Sequence, residues 1–266
     1  MSTLAFNSYA AEYDNHFTRS PIGILQRKRV FRFLLPLLDP KKNVLEINCG
    51  TGEDALSMAP LVNSVLATDI STGMIEAANL KKEKSKLSNV TFKAADIREI
   101  PEHLRSPFDL LFSDFGGLNC LSPEELKQFS QSISSFISPG GKLVLVIMGK
   151  KCIWENFFFL KQKDKRYKRR NTTKGIETKI NDSTFLTYYY APSEISTLFS
   201  GNFSTSLIKP IGLFIPPSYL NPYFANKKWA LGLLNFFEKL SGGFSFTANY
   251  ADHYLIILEK NQSSVN

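Results

Sequence analysis

Between about residues 40 and 150, short apolar runs alternate with longer stretches whose apolar residues recur at helical spacing. The short runs predict strands over 44–47, 64–68, 90–93, 108–113 and 142–148. The longer stretches predict helices over 53–59, 73–84 and 123–137. Strands that alternate with helices in this way favour a parallel sheet with helices on both of its faces.

The chain on either side of this core predicts a cap and two lids. Residues 1–40 carry apolar positions at helical spacing and predict an N-terminal helical cap, ahead of a core over 41–150. Residues 151–202 predict a lid helix, a hairpin and a returning helix. Residues 203–266 predict a final pair of strands with a lid insertion over 211–250. The fold class that we predict is α/β, a doubly wound, mostly parallel seven-stranded sheet with an antiparallel last strand, plus the cap and the lids.

The first predicted strand runs into a glycine turn at the start of a helix, in the stretch Leu45-Glu46-Ile47-Asn48-Cys49-Gly50-Thr51-Gly52. Glycines let a ligand approach the backbone closely, and the N–H groups of a first helical turn attract negative charge. The spacing Gly50-x-Gly52 also fits the dinucleotide fingerprint, so it is weak evidence by itself. The turn therefore predicts a ligand site and leaves the ligand open.

Carboxylates follow three of the predicted strands, at the edge of the sheet where ligands bind. Asp69, Asp96 and Asp114 lie at these strand ends. Asp69 follows Gly52 by 17 positions, which is close to the offset of ~20 residues expected for an acid that binds ribose hydroxyls. NAD and S-adenosylmethionine both carry such a ribose. Glu46 inside the first strand would repel a pyrophosphate but can accept a hydrogen bond from an ammonium group, which favours S-adenosylmethionine.

Together these stretches resemble the motifs of class I, Rossmann-like S-adenosylmethionine-dependent methyltransferases of the kind that acts on small molecules. The resemblance covers about 40–150 and is carried by the glycine turn and by Thr68-Asp69-Ile70-Ser71-x-x-Met74, Ala95-Asp96-Ile97, Phe108-Asp109-Leu110-Leu111 and Pro139-Gly140-Gly141-Lys142-Leu143. The family usually has Gly where this chain has Asn48. Since Asn tolerates left-handed backbone geometry better than most residues, we expect the turn to keep its shape.

The resemblance implies S-adenosylmethionine as cofactor, with S-adenosylhomocysteine as product, and no metal. It implies a cofactor-binding role for Tyr13, Glu46, Asn48, Gly50, Gly52, Asp69, Ile70, Met74, Asp96, Ile97, Ser113 and Asp114. In this arrangement Asp69 takes the ribose hydroxyls, and Ser113 with Asp114 lies beside the transferable methyl group. Tyr13 belongs to an N-terminal segment that folds over the cofactor, although packing between helices would explain this tyrosine equally well.

A base is needed only if the acceptor must lose a proton during the in-line displacement. His253 is the first candidate, because an antiparallel last strand would begin at the carboxyl edge of the parallel strands, beside the cofactor. The alternative is a histidine that caps the strand and binds Asp252. His16 in the N-terminal cap is a second candidate base.

Composition and charge bear mainly on the acceptor. The formal net charge is +8, which would suit a nucleic acid, but much of the excess lies in the run 161–170, and such a run is typical of a solvated helix face. The chain also lacks the Asn/Asp-Pro-Pro-aromatic motif of amino-methylating nucleic-acid enzymes, since Ser113-Asp114-Phe115-Gly116 stands there. Aromatic residues in both lids favour a small, largely apolar or aromatic acceptor that is methylated on oxygen or nitrogen.

Two alternatives stay open at this point. One is a nucleic-acid methyltransferase that uses the basic run, and the other is an NAD(P)-dependent oxidoreductase. The three cysteines form no pair or metal-ligand spacing, and the N-terminus lacks the basic region of a signal peptide. No apolar run approaches the ~20 residues of a membrane span. We therefore expect a cytoplasmic protein without integral membrane association.

Overall fold

The computed structural model describes residues 13–98, 107–180, 183–224, 226–241 and 244–262, apart from the side chains at positions 15, 16, 165, 167, 180, 183 and 241. Three of the sequence predictions therefore fall outside the described residues. They are the first part of the cap, over 1–12, the side chain of the candidate base His16, and the turn of the predicted hairpin at Asn181-Asp182.

Seven of the nine described strands form one sheet. The strands are β1 (Asn43–Ile47), β2 (Ser64–Asp69), β3 (Val90–Ala94), β4 (Phe108–Ser113), β5 (Ile137–Met148), β6 (Ile176–Ile180), β7 (Ser183–Thr187), β8 (Phe203–Ile211) and β9 (His253–Lys260). The order in the main sheet is β3-β2-β1-β4-β5-β9-β8, and β6 pairs with β7 in a separate hairpin. Strands β1 to β5 run parallel, whereas β9 is antiparallel to both of its neighbours. The predicted fold class is confirmed.

Helices cover both faces of this sheet. The described helices are α1 (Pro21–Leu34), α2 (Glu53–Met58), α3 (Thr72–Ser85), α4 (Pro123–Ser132), α5 (Ile153–Lys161), α6 (Pro192–Phe199), α7 (Asn221–Phe224) and α8 (Lys228–Ser241). Alternate residues of β5 belong to two different apolar clusters, because successive side chains of a strand point to opposite faces. Helices α1, α2 and α3 contribute to one cluster and α4 and α6 to the other.

The antiparallel strand β9 brings the end of the chain back to the ligand edge. His253, its first residue, pairs with Met148, the last residue of β5. The expectation that His253 lies at the carboxyl edge of the parallel strands is therefore confirmed. Within the described ranges, no helix combines the length and the apolar character that crossing a bilayer requires.

Strand β5 differs from its prediction. It begins at Ile137 rather than at 142, and the preceding helix, predicted over 123–137, is α-helical to Ser132 and continues as a 3-10 turn over Ile133–Phe136. Ile137 pairs with Phe108, and the ladder resumes only at Lys142 opposite Leu110. The intervening residues form an irregularity within β5. They include Gly140, which has left-handed backbone geometry, and for this reason the sequence pattern there resembles a loop.

Gly52 and Gly140 allow a matched test of packing at the glycine turn. Both have left-handed backbone geometry, but a Cβ at Gly52 would lie 2.6 Å from the ring of Phe92 and 2.8 Å from Cβ of Ala78, whereas a Cβ at Gly140 meets nothing within 4 Å. Gly140→Ala should lower the free energy of unfolding by roughly 1–2 kcal/mol through backbone strain alone. Gly52→Ala should cost roughly 1–3 kcal/mol more through overpacking. Urea unfolding of the two variants measures the difference, and equal losses would contradict this account.

Candidate active site

The turn between β1 and α2 passes through three residues with left-handed backbone geometry: Asn48 (φ 57°), Gly50 (φ 50°) and Gly52 (φ 75°). The expectation that Asn48 accepts this geometry in place of glycine is confirmed. The N–H of Gly50 donates to Asp69 Oδ2, and the N–H of Ser71 donates to Asp69 Oδ1, each at 2.9 Å. One buried carboxylate thus connects the turn after β1 to the turn after β2.

The side chain of Asn48 joins β1 to the end of β4. Its Nδ2 donates to Ser113 Oγ at 3.3 Å. It also fills the space over Gly117, where an added Cβ would lie 2.3 Å from Asn48 Cγ. The residue that departs from the usual glycine is therefore accommodated by a glycine elsewhere in the chain.

A group of buried carboxyl groups lies behind the glycine turn. Glu46 of β1, Asp54 of α2 and Asp114 after β4 are all buried, and Arg27 Nε of α1 lies 2.9 Å from Asp54 Oδ1. Burial raises the pKa of Glu46 and that of Asp114 well above the usual value, and the neighbouring Asp54 raises both further. Glu46 Oε2 has no hydrogen-bond partner among the described residues. Burial and mutual repulsion thus disfavour the charged forms of these carboxyl groups, and a nearby cation would stabilise those forms.

The first described residues of the chain make polar contacts with the same turn and its surroundings. Asp14 Oδ1 accepts a hydrogen bond from Thr51 Oγ1 at 2.7 Å, and Asp14 Oδ2 lies 2.6 Å from Lys81 Nζ of α3. Next to it, the ring of Tyr13 lies over Gly50, 3.7 Å from where a Cβ would stand. The N-terminal segment therefore covers the glycine turn, as the resemblance implied.

A cavity of about 540 Å³ opens at this edge of the sheet. Its wall on the side of β1 to β4 includes Tyr13, Asn48, Gly50, Asp69, Ile70, Met74, Asp96, Ile97 and Asp114. All of these are predicted cofactor-binding residues. The remaining three do not line the cavity: Glu46 lies among the buried carboxyl groups, Gly52 packs against Phe92, and Ser113 binds Asn48. We call this wall the cofactor end.

The other part of the lining comes from the loop after β4, from the end of β5, from the lids and from the start of β9. We call it the acceptor end, and it includes Phe115, Gly116, Gly117, Cys120, Met148, Arg169, Arg170, Thr178, Phe185, Thr187, Tyr189, Pro217, Ser218, Tyr219, Asp252 and His253. The loop and the lids together supply most of this wall. The two ends belong to one continuous cavity, so a group held at one end can reach a group held at the other.

His253 is held at the acceptor end by its neighbour in the chain. His253 Nδ1 lies 3.1 Å from Asp252 Oδ2, and Arg170 Nη2 donates to Asp252 Oδ1 at 2.7 Å. Burial by itself would raise the pKa of Asp252, but His253 and Arg170 together hold that pKa well below its usual range. The ring of His253 also packs edge-on against Phe115, with 5.4 Å between ring centroids. The Asp252 contact that we weighed as an alternative is present, and His253 still lines the cavity.

The basic run 161–170 turns into the protein at its end. Arg169 Nε and Arg170 Nε donate to the two oxygens of the buried Glu155 of α5, at 2.7 and 2.9 Å. The guanidinium of Arg170 is buried and lies 5.0 Å from the ring centroid of Tyr189. The prediction of a solvated helix face is therefore wrong for Arg170, which joins the lid to β9 through an ionic chain.

Sequence reasoning missed Arg27, Asp54 and Arg170 as parts of the site. Arg27 lies in a helix that reads as an ordinary packing helix, and nothing in its spacing marks it. Asp54 follows the glycine turn at the start of α2, where an acid is typical of any helix N-terminus. Arg170 ends a run of lysines and arginines, so nothing in the sequence distinguishes it from the residues that precede it. Its contact with Asp252, 82 residues later, depends on the fold.

Comparison with known families agrees with this geometry. Residues 44–141 match the family model described as "Methyltransferase domain". The matched segment runs from β1 to the start of β5 and contains the cofactor end except for Tyr13. Of the two nucleotide cofactors that the glycine turn left open, the match supports S-adenosylmethionine against NAD(P).

Solved structures share the fold along nearly the whole chain. A structure of DhpI in complex with SAH has a TM-score of 0.62 at 16% sequence identity, over 98% of this chain and 95% of that one. The N-methyltransferase NodS from Bradyrhizobium japonicum WM9, in complex with S-adenosyl-L-homocysteine, has a TM-score of 0.55 at 14% identity, over 92% and 90%. At these identities the likeness shows the fold alone.

One curated relative is named for a different kind of acceptor. The 23S rRNA (uracil(1939)-C(5))-methyltransferase RlmD of Xanthomonas campestris pv. campestris is 27% identical over 142 residues, or 48% of this chain. The matched part is 32% of the relative's length, so the chain spans about a third of it.

The ionic chain predicts how stability depends on pH. Because the folded-state pKa of Asp252 is depressed, its carboxylate stabilises the fold above the unfolded pKa of about 3.9, and this contribution is lost as the pH falls through the folded-state value. Asp252→Asn, which removes one of the two carboxylates that Arg170 binds and leaves Glu155 as the other, should lower the free energy of unfolding by roughly 1–3 kcal/mol near neutral pH. That cost should shrink as the pH is lowered below about 4.

Denaturant unfolding at a series of pH values measures this cost. Asp164→Asn is the matched control, since Asp164 pairs with Arg166 at the surface and should contribute little. A loss in Asp252→Asn that stays constant across the pH range would contradict the account.

Proposed function

Since residues 44–141 form a methyltransferase domain of the class I, Rossmann-like kind, we propose that the protein transfers a methyl group from S-adenosylmethionine to an oxygen or nitrogen atom of a small, largely apolar or aromatic acceptor. The observation that carries this proposal is the single cavity, in which a polar, acidic cofactor end meets an acceptor end rich in aromatic side chains. S-adenosylmethionine, when bound, supplies a methyl group on a positively charged sulfur. The chain's own residues bind it, orient the acceptor and exclude water.

The residues of the cofactor end fit this ligand. Both oxygens of Asp69 accept backbone N–H groups, and a carboxylate has about four lone-pair sites, which leaves room for a ribose hydroxyl. The apolar side chains of Ile70 and Met74 suit the faces of adenine. The buried carboxyl groups, among them Glu46 with its unpartnered Oε2 in the described part of the chain, suit a ligand that carries an ammonium and a sulfonium. The same charges oppose a pyrophosphate.

The acceptor end supports an apolar substrate. Phe115, Met148 and Phe185 contribute apolar surface, and Tyr189 and Tyr219 add aromatic rings that come from the two lids. A planar or lipid-like molecule would bury its apolar surface against these side chains. A strongly hydrated molecule would lose hydrogen bonds to water that these side chains do not replace. Polar groups of this wall, such as His253, can orient a functional group of the acceptor.

His253 is the residue that we propose as base for an acceptor that must lose a proton. Asp252 Oδ2 lies 3.1 Å from its Nδ1, so Nε2 is the ring nitrogen that we propose takes the proton. Arg170 and Gln26 hold Asp252 in turn: Arg170 Nη2 donates at 2.7 Å and Gln26 Nε2 at 3.3 Å. An oriented histidine of this kind contributes typically 10²–10⁴-fold to a proton-transfer step.

Methylation of RNA is the second candidate, and the similarity to the rRNA methyltransferase favours it. A carbon-5 methylation of uracil would require a nucleophilic thiolate. Cys120 lines the cavity, but burial raises its pKa to about 12, which opposes that role. Arg169 and Arg170 of the basic run are engaged with Glu155. We therefore rank a small acceptor ahead of RNA.

The cytoplasm is the location that we propose. Cys49, Cys120 and Cys152 are all free thiols. Burial raises the pKa of each of them, so they are poorly reactive. Free thiols of low reactivity are typical of proteins in a reducing compartment.

Calorimetry tests the cofactor and the charge of its site together. S-adenosylmethionine should bind with release of more protons than S-adenosylhomocysteine, because its sulfonium favours the charged form of Asp114, whose pKa burial and Asp54 raise in the free protein. Titrations in buffers of different ionisation enthalpy measure the released protons. Asp114→Asn should reduce the difference between the ligands, and Asp164→Asn should leave it unchanged. Binding of NAD without binding of S-adenosylhomocysteine, or equal proton release by both ligands, would contradict the proposal.

A labelled-methyl assay tests the acceptor. Phenols, amines and lipid-like acids are offered in parallel with 23S rRNA fragments, and we expect label in the small molecules. With a phenol, His253→Gln should lower kcat by about 10²-fold or more while KM changes little. Added imidazole should restore part of the rate. Full turnover by His253→Gln would remove the base role, and label in RNA alone would favour the second candidate.

A further inference from the structure

Helix α8 carries its apolar side on the outside of the protein. The side chains of Trp229, Leu233, Phe236 and Leu240 are 75%, 51%, 56% and 61% exposed. Their spacing of four, three and four residues puts them on one face of the helix. A helix at the surface of a globular protein normally turns this face to the core. We call these four side chains the α8 face.

A buried carboxylate fixes the rotation of α8. Glu238, on the opposite side of the helix from the α8 face, is fully buried and accepts hydrogen bonds from the N–H groups of Gly212, Phe214 and Ile215, at 2.9, 2.7 and 3.2 Å. Turning the helix to bury the apolar residues would expose Leu231, which is now buried, and would leave the three backbone N–H groups without their acceptor. The outward direction of the α8 face is thus built into the fold.

Aromatic contacts connect α8 to the mouth of the cavity. Phe237 of α8 packs on Phe214, whose carbonyl accepts a hydrogen bond from Trp154 Nε1. Trp154 packs in turn on Phe224 of α7. From α7 the path continues through Tyr223 and Phe158 to Tyr219, which lines the cavity. A series of contacts between aromatic residues therefore connects α8 to Tyr219 of the acceptor end.

The positive charge near the α8 face indicates which kind of partner would bind there. Between residues 203 and 251 the sequence has a single acid, the buried Glu238. Lys227, Lys228 and Lys239 are exposed at or near the ends of α8. A second copy of the chain would bring the same positive charges to the contact, which opposes a dimer through this face. An anionic lipid surface supplies both the apolar layer and the negative charge that such a helix requires.

We propose that α8 docks the protein on the surface of an anionic lipid bilayer, with the α8 face in the acyl region and the lysines at the headgroups. The aromatic path then opens the acceptor end toward the bilayer, so that a membrane-dissolved acceptor enters the cavity without crossing water. This last step rests on the proposed methyl transfer, whereas the docking itself does not.

Vesicle binding tests the docking. The protein should bind vesicles of phosphatidylcholine with phosphatidylglycerol, bind vesicles of phosphatidylcholine alone more weakly, and lose affinity as salt is raised. The chain has two tryptophans, so Trp154→Phe leaves Trp229 as the reporter. Its emission should shift to the blue on binding and be quenched by brominated acyl chains. An unshifted emission in the presence of anionic vesicles would overturn the proposal.

Matched variants test whether the α8 face and its lysines, rather than other exposed residues, bind the vesicles. Trp229→Ser with Phe236→Ser should weaken vesicle binding about tenfold or more, and Lys228→Glu with Lys239→Glu should do so at low salt. Leu80→Ser, at an exposed leucine of α3, and Lys84→Glu are the controls and should bind as the wild type does. Each variant should keep its affinity for S-adenosylhomocysteine in solution, which makes a failure of docking distinct from a failure of the proposed function. Wild-type binding by the α8 variants, or a dimer in solution that Trp229→Ser dissociates, would overturn the proposal.

Discussion

Both oxygens of the Asp69 carboxylate accept backbone N–H groups, one from Gly50 and one from Ser71, at 2.9 Å each. Through this one side chain the ends of β1 and β2 are held in a single arrangement. Burial raises the pKa of Asp69, and these N–H donors work in the opposite direction. Without them the carboxylate would lose its charge or its position. The rest of the cofactor end, including the cover that Tyr13 provides, is built on the geometry that Asp69 sets.

The acceptor end depends on a second buried carboxylate of different character. Asp252 receives the guanidinium of Arg170, which itself is tied to Glu155 on α5. The lid is therefore attached to the sheet by charges rather than by apolar packing alone. Such an attachment has strict geometry, because each buried charge needs its partner in place. This attachment fixes the position of Asp252 beside His253, in a part of the cavity that the lid insertions otherwise form.

The alternation of strands and helices predicted the sheet, because a parallel core requires buried runs and amphipathic helices in strict order. The direction of β9 and the position of His253 followed from the predicted final pair of strands. The irregularity at the start of β5 was not predictable, since its pairing between Phe108 and Ile137 depends on tertiary contacts. The lids were the least predictable part. Trp229, in the predicted lid insertion over 211–250, faces outward because Glu238 determines which side of α8 is buried.

The contact between Asn48 and Gly117 has a consequence for how this chain can change over evolutionary time. Any side chain at 117 would collide with the amide of Asn48, and a return to glycine at 48 would leave Ser113 without its donor. The two positions, 69 residues apart, are therefore expected to substitute together rather than one at a time. Lineages that keep glycine at the first of them are free to vary the second. A correlated pair at these two positions would then mark the descendants in which the glycine turn was rebuilt around an asparagine.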